Sequence, residues 1–404
     1  MAKLLPTTRA QVSGHKFMRR RMEHGLVFGD IRMIHDPLAS RRRATIFGTA
    51  AVAMIAGVMG LFAWMRPDAD PGDAPIVRAA DGTLYVRVGD AAHPVTNLAS
   101  ARLIAGQAAD PARIGDEKLA ELPRGVPVGI VAAPGMFAPE DAQSASWSVC
   151  GADTITVVAG KAPEPLPIDA AVLAADTTRE WVVTAEGRRL LPEAHTPQGR
   201  VIRRALGITP DTPRWTPPTQ VISALRELPP AALPDPLPQI IDADDQAWAL
   251  ADGRIQPITG TQRTMLLDAG AKAAVASRES LASYPDTEEE LRLPRERPRW
   301  VEPHLACVDQ NRGGATVDEV PEGIELSGTS VATHFAGLDG GSVGVDSGHG
   351  FHVVSANGLR HRAPDAETLA TVGAAHVEDV PWEIIALLPE GAELSRDAAM
   401  TATY

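Results

Sequence analysis

The run ATIFGTAAVAMIAGVMGLFAWM, residues 44–65, carries no charge and is bracketed by Arg41-Arg42-Arg43 before it and Arg66-Pro67 after it. As a helix its 22 residues extend about 33 Å, enough to cross a hydrocarbon core of about 30 Å. The run divides the chain into a short leading piece and a long trailing one. Most of the function therefore belongs to the residues beyond it.

Charge orients the span. Residues 1–43 hold ten Lys and Arg against three acids, Glu23, Asp30 and Asp36. The rest of the chain reverses that balance, with 28 of the 38 basic residues and 48 of the 51 acidic ones. Lys and Arg beside one end of a span keep that end in the cytoplasm. The expected topology is a single pass through the cell inner membrane, N-terminus cytoplasmic and C-terminal domain extracytoplasmic. A cleaved secretory signal is the alternative, but its apolar region is about 7–15 residues long and ends at a small-residue site. Phe62-Ala63-Trp64-Met65-Arg66 offers none. The acidity of the outer segment also excludes a nucleic-acid partner, since phosphate contacts need clustered Lys and Arg.

The chain has two cysteines, Cys150 and Cys307, both beyond the span. On an oxidising side of the membrane they can form one long-range disulfide. Such a bridge, with a sequence separation of 157 residues, stabilises by constraining the unfolded chain. Two buried free thiols are a second reading. A metal site with His304 is a third, although zinc needs three or four ligands and no second pair stands nearby. The disulfide is the expectation, with no metal and no cofactor.

Internal similarity organises the outer segment. Four places combine a strand with an Asp, Glu or Asn before a turn glycine: Asp81-Gly82 beside Thr83-Leu-Tyr-Val, and Glu186-Gly187, Asp252-Gly253 and Asn357-Gly358 after Trp181-Val-Val-Thr, Ala247-Trp-Ala-Leu and Phe351-His-Val-Val. Gly suits such turns because it accepts positive φ, and the Asx side chain can bond its own backbone. The glycines lie 105, 66 and 105 residues apart, which suggests two outer and two inner units. Each unit closes on Leu-Pro, at Leu122-Pro123-Arg124-Gly125, Leu228-Pro229, Leu293-Pro294 and Leu388-Pro389-Glu390-Gly391. Helical patterns lie between, such as the one that starts at Asn97 and the one that ends on Gly207. Repetition of this kind belongs to scaffolds whose faces stack or bind partners.

The intervals around the cysteines hold β-branched runs bounded by Gly: Trp147-Ser-Val-Cys150, Asp153-Thr-Ile-Thr-Val-Val158, Leu305-Ala-Cys307-Val, Gly323-Ile-Glu-Leu326 and Ser342-Val-Gly-Val345. They read as strands of a common centre. The fold class is α+β: an N-terminal amphipathic helix, one transmembrane helix, and an elongated extracytoplasmic domain of four α/β repeats around a mostly β central core. The expected divisions are a cytoplasmic segment 1–43, the span 44–65, outer repeat 1 at 66–130, a first stretch of the central core at 131–177, inner repeat 2 at 178–240, inner repeat 3 at 241–295, a second stretch of the core at 296–345 and outer repeat 4 at 346–404.

Several segments together carry a resemblance. They are Gln11-Val-Ser-Gly14-His-Lys-Phe17-Met-Arg-Arg20, Asp30-Ile-Arg-Met-Ile-His-Asp36-Pro37, Ala74-Pro75-Ile76-Val77, Leu84-Tyr85-Val86-Arg87-Val88, the run from His93-Pro94-Val95 through Asn97-Leu98 to Leu103-Ile104, and Glu393-Leu394-Ser395. With the single span, the chain resembles the EccB family of type VII (ESX) secretion systems. The resemblance implies a structural membrane component of the translocation machinery, working with EccC, EccD and EccE type core components, with a mycosin protease as a further partner, and as a homo-oligomer within the complex.

The leading segment has a physical reading of its own. Val12, Met18, Met22 and Leu26 recur near helical spacing among Lys16, Arg19, Arg20 and Arg21, the pattern of a basic amphipathic helix that docks on a partner or lies on anionic lipid. The expected docking residues are Phe17, Met18, Arg20, Met22 and Leu26.

Two enzymatic readings stand beside the scaffold. EccB members are catalogued as ATPases, yet a P-loop needs GxxxxGK followed by Ser or Thr, and the Gly160-Lys161 pair is followed by Ala162. Gly328-Thr329-Ser330 resembles the nucleophile motif of subtilisin-like proteases, and Asp346, His349 and His352 resemble its partners, although the chain order is reversed. No catalytic residue is assigned. An envelope-facing ATPase or hydrolase and a membrane-anchored receptor for a cell-wall polymer are the rival functions.

Overall fold

The computed structural model describes residues 7–34, 37–64 and 69–403. Two compact units divide it, Met1–Ala69 and Asp70–Tyr404. The first contains helix α1, Arg9–Phe28, and helix α2, Pro37–Trp64. Within α2, the 25 residues Ser40–Trp64 are long and apolar enough to span a bilayer. Its two threonine hydroxyls leave no orphan donor in that setting, since Thr45 and Thr49 Oγ1 donate back to the carbonyls of Arg41 and Thr45 at 2.9 and 3.0 Å. Met65, Arg66 and Pro67 lie outside the described residues.

Four sheets of the second unit share one topology. Three antiparallel strands form a meander, a helix follows, and a short fourth strand pairs parallel to the first. In repeat 1 these are Ile76–Arg78, Leu84–Val88, Ala91–Val95, helix α3 Leu98–Ala105, and Ala112–Arg113. Repeat 2 uses Ala170–Ala175, Glu180–Thr184, Gly187–Leu190, the helix Pro197–Ala205, and Arg214–Trp215. Repeat 3 uses Gln239–Ala243, Gln246–Ala251, Arg254–Ile258, the helix Gly260–Asp268, and Ala273–Val275. Repeat 4 uses Val343–Asp346, Phe351–Val354, Arg360–Ala363, the helix Ala366–Val372, and Val377–Asp379.

Local chemistry repeats with the topology. Every repeat helix opens on a side-chain cap, with Asn97, Thr196, Thr259 and Asp365 accepting the backbone N–H three residues on at 2.9, 3.0, 3.2 and 2.8 Å. One residue past the pairing with the closing segment, the third strand always carries a polar side chain that reaches a carbonyl of that segment. His93 Nδ1 bonds Val126 O at 3.0 Å, Arg189 Nη1 bonds Pro229 O at 2.6 Å, Gln256 Nε2 bonds Glu289 O at 3.2 Å and His361 Nδ1 bonds Ala392 O at 2.8 Å. We call this recurring contact the latch.

The turn glycines do not all occupy one station. Gly187, Gly253 and Gly358 close the second hairpin of their repeats, at φ of 143°, 72° and 78°. Gly82 lies in the first hairpin of repeat 1, and the glycine matching the other three is Gly89, at φ 60°. Both Asp81-Gly82 and Gly89-Asp90 are turn formers, so composition alone does not choose between them. The symmetric spacing of 105, 66 and 105 residues follows from that choice and disappears with it.

The closures shift too. The third strand donates an amide to the carbonyl of Pro123, Pro285 and Pro389 in repeats 1, 3 and 4, and of Arg226 in repeat 2. Tyr284-Pro285 is therefore the third closure, not Leu293-Pro294, and repeat 2 closes just before Leu228-Pro229.

A seven-stranded sheet forms the centre, in the order Ile324–Glu325, His334–Gly337, Thr156–Gly160, Ser146–Cys150, Ala306–Val308, Gly314–Thr316, Glu164–Pro165. Residues 342–345, expected in this centre, instead lie at the first strand of repeat 4. Val149, Val157 and Phe335 of the central sheet share a core with Val172, Ala174 and Trp181 of repeat 2 and with Val345, Val354 and Ile384 of repeat 4. On the far face of repeat 4, Val353 and Leu369 pack with Ile76 and Leu103 of repeat 1. On the far face of repeat 2, Leu173 and Val182 pack with Ile240 and Met265 of repeat 3.

The layers thus run repeat 1, repeat 4, centre, repeat 2, repeat 3. Repeats 2 and 4 are inner and repeats 1 and 3 are outer, which corrects the expected assignment of 1 and 4 as outer and 2 and 3 as inner. Spacing along the chain does not report which sheets are covered on both faces. Burial does: Ala170–Ala175 is buried at all six positions, as a strand covered on both sides must be. That strand also starts repeat 2 ahead of the expected boundary at 178.

Candidate functional site

Helix α1 is bounded by strong local signals. Thr8 and Gln11 form a capping box, and Gly29 at φ 69° ends the helix with its N–H on Gly25 O. Arg19 and Glu23 pair at 3.0 Å one turn apart on the exposed surface. Met18, Met22 and Leu26 are 54, 60 and 87% exposed and, four residues apart, form one stripe. At about 100° per residue, Phe17 stands about 140° and Arg20 about 160° round the axis from Met22. The five expected docking residues therefore divide between two faces, because Phe17 and Arg20 are out of phase with the methionine stripe.

The second candidate is the hub where the inner repeats meet the central sheet. Cys150 and Cys307 are paired as a disulfide with S–S 2.03 Å, joining directly opposed residues of neighbouring antiparallel strands. Both are buried with Ala315. From repeat 4, Glu378 is buried and accepts Trp147 Nε1 at 2.5 Å and Ala145 N at 2.9 Å, with His376 Nε2 at 3.1 Å. From repeat 2, Trp215 Nε1 donates to Gly151 O at 2.8 Å. A buried carboxylate met by two donors is stabilising where an unpaired one is costly.

Arg312 bridges the two inner repeats directly. It sits in the central turn at φ 65°, where its Nε donates to Ala224 O at 2.9 Å and its Nη1 meets Glu383 Oε1 at 2.7 Å. Ala224 ends the short helix Thr219–Ala224 of repeat 2, and Glu383 lies in the helix Trp382–Ile385 of repeat 4. Sequence reading missed Arg312, Glu378 and the latches, because the partners they reach on other elements are 31 to 233 residues away. One signal was available: Pro-x-Gly follows both histidine latches, as Pro123-Arg124-Gly125 and Pro389-Glu390-Gly391.

The residues of the enzymatic readings go elsewhere. Ser330 Oγ donates to Ala332 O at 2.8 Å, Asp346 accepts Gly348 N at 2.9 Å, and His352 stacks on Trp382 with ring centroids 5.3 Å apart. Gly160 ends a central strand rather than cradling the start of a helix.

A helix fit for one membrane crossing, and sheets that bury their faces on one another in sequence, define a membrane-anchored repeat scaffold. Comparison with known proteins gives it a family. The family described as "Type VII secretion system ESX-1, transport TM domain B" matches residues 4–304 and 285–403, and the chain belongs to this EccB family.

It is 30% identical to the ESX-1 secretion system ATPase EccB1 of Mycobacterium tuberculosis, over 98% of this chain and 94% of that protein. It is 28% identical to the ESX-3 secretion system ATPase EccB3 of Mycolicibacterium smegmatis, over 98% of this chain and 90% of that one. Its fold is similar to a chain of the intact ESX-5 inner membrane complex, at TM-score 0.66 and 24% identity over 100% of this chain and 97% of that one. It is also similar to the EccB3 dimer from the ESX-3 core complex, at TM-score 0.67 and 22% identity over 81% and 100%.

Proposed function

We infer that this chain is a structural membrane component of a type VII secretion complex, acting through protein contacts. The observation that carries the reading is the family match, which runs from the leading helix through the span to the last repeat. In this reading α2 holds the repeat domain outside the cytoplasm, as the basic residues before it favour. The Met18–Met22–Leu26 stripe of α1 docks on a core component. Partners of the EccC, EccD and EccE type, further copies of this chain, and a mycosin are the assembly we assign to it.

Expression of the whole gene cluster with a tag on this chain, followed by purification in mild detergent, tests the reading. EccC, EccD and EccE type subunits should elute with it in fixed ratio. A chain that migrates alone contradicts the scaffold. Within that experiment, Met18→Asp with Met22→Asp should lower recovery of the other subunits at least about fivefold, the loss of roughly 1 kcal/mol of contact, while Phe17→Asp has a smaller effect. Equal recovery from both variants would remove the stripe as the docking face.

A further inference from the structure

Two latches are histidines, and one of them is completely buried. His361 has no exposed surface, whereas His93, Arg189 and Gln256 are all half-buried. Its Nδ1–H is committed to the Ala392 carbonyl, so the neutral ring carries its lone pair on Nε2. That nitrogen is buried and makes no well-formed hydrogen bond, although the backbone of Ala132 faces the ring and favours its protonated form. A Cβ on Gly391 would intrude on the imidazole, so the ring lies flat against the closing segment. Three pieces of chain meet at this one side chain: its own strand, the closure of repeat 4, and the segment that leaves repeat 1.

What the latch holds is the end of the chain. Residues 389–394 run along the third strand of repeat 4, with Gly391 N on Arg360 O at 2.9 Å and Leu394 N on Arg362 O at 2.8 Å. The short helix Arg396–Ala399 follows, and residues 401–403 then pair with repeat 1, where Gly129 N donates to Thr401 O at 3.2 Å and Thr403 N to Pro127 O at 3.0 Å. Leu394 and Ala399, both fully buried, fill the core between repeats 1 and 4. Residues 389–403 are a strap tying the outer repeat to the inner one.

We propose that His361 is an acid-sensitive clasp: it holds the strap across repeats 1 and 4 when its ring is neutral, and lets the strap open when the ring takes a proton. Burial pushes the His361 imidazole below its ordinary value, and the Ala392 and Ala132 carbonyls only partly offset that. No charged side chain contributes to the shift. Arg360 and Arg362 flank it on the strand and Glu390 and Glu393 on the strap, with Arg360 paired to Glu390 at 3.5 Å. Since the opened form titrates near 6.5 and the closed form lower, closure is complete above about pH 6.5 and weakens as pH falls below it. The latches of repeats 2 and 3 are Arg189 and Gln256, side chains that do not titrate in this range, and their closing segments serve as internal controls.

Hydrogen exchange read by mass spectrometry on the full chain in detergent, at about pH 8 and about pH 5.5 and corrected for intrinsic rates, tests the clasp. Peptides over 389–403 and 125–133 should lose protection, by up to about tenfold per pH unit for one proton, while those over 226–232 and 284–292 stay unchanged. His361→Gln, which keeps a donor to Ala392 O, should abolish the acid response, and His352→Gln should leave it intact. Strap protection that ignores pH, or an acid response that survives His361→Gln, overturns the proposal. Should the variant not fold, exchange at the imidazole C2 position of His361 in the native chain decides instead. A midpoint below about 6.5 supports the clasp and one at or above it sinks it.

Discussion

Repeats 4 and 1 on one side of the central sheet, and repeats 2 and 3 on the other, are built alike but tied off differently. Both sides use the same strand order, the same side-chain cap on each helix and the same latch station. On one side the chain end straps the outer repeat in place. On the other, Arg299–Trp300 leaves repeat 3 and pairs with the first strand of repeat 2 on its way into the centre. The difference teaches that topology follows from hydrophobic pattern and turns, while a latch needs only a donor long enough to reach a carbonyl. His, Arg and Gln all serve.

If the hub holds both sides together, damage there should be felt by all four repeats. Trp147→Ala removes a fully buried side chain and takes one donor from the buried Glu378 carboxylate, so guanidinium unfolding of the full chain should show a loss of about 3–5 kcal/mol. Replacing both Cys150 and Cys307 by Ala should cost about 2–5 kcal/mol in the same measurement. Arg312→Ala touches only the junction of repeats 2 and 4. With its guanidinium and the Glu383 carboxylate each about a third exposed, a loss of about 1–2 kcal/mol is expected. A smaller loss for Trp147→Ala than for Arg312→Ala would mean that the centre does not unite the two sides.

The smallest effect separates the sides by chemistry. Gln256→Ala should cost about 1 kcal/mol, equally at acid and neutral pH. His361→Ala should cost more above about pH 6.5 than below it, because the wild-type contact weakens on acidification. Matching pH profiles for the two variants, by thermal melts across pH, would erase the distinction.

Much of this fold was legible in order but not in arrangement. The span announced itself through length and lack of charge, and the α+β class through turn glycines between short apolar runs. The helix start at Asn97 was readable because capping is local, and Thr196, Thr259 and Asp365, which were passed over, carry the same local signal. The layering was not, because it depends on which sheet is buried twice, and only the unbroken Ala-Ala-Val-Leu-Ala-Ala at 170–175 hinted at it. Gly82 misled because a seven-residue offset separates it from an equally good turn glycine, Gly89. For helix α1, periodicity gave the methionine stripe, but Phe17 and Arg20 were grouped with it by nearness in sequence rather than by angle.

In the proposed function the repeat platform is pinned at its hub and faces the oxidising side of the membrane. Intact cells treated with a membrane-permeant alkylating agent, with this chain then isolated and weighed before and after reduction, test that directly. The account predicts that Cys150 and Cys307 stay unalkylated until reduction frees them. Both cysteines carrying the alkyl group straight from the cell would contradict it.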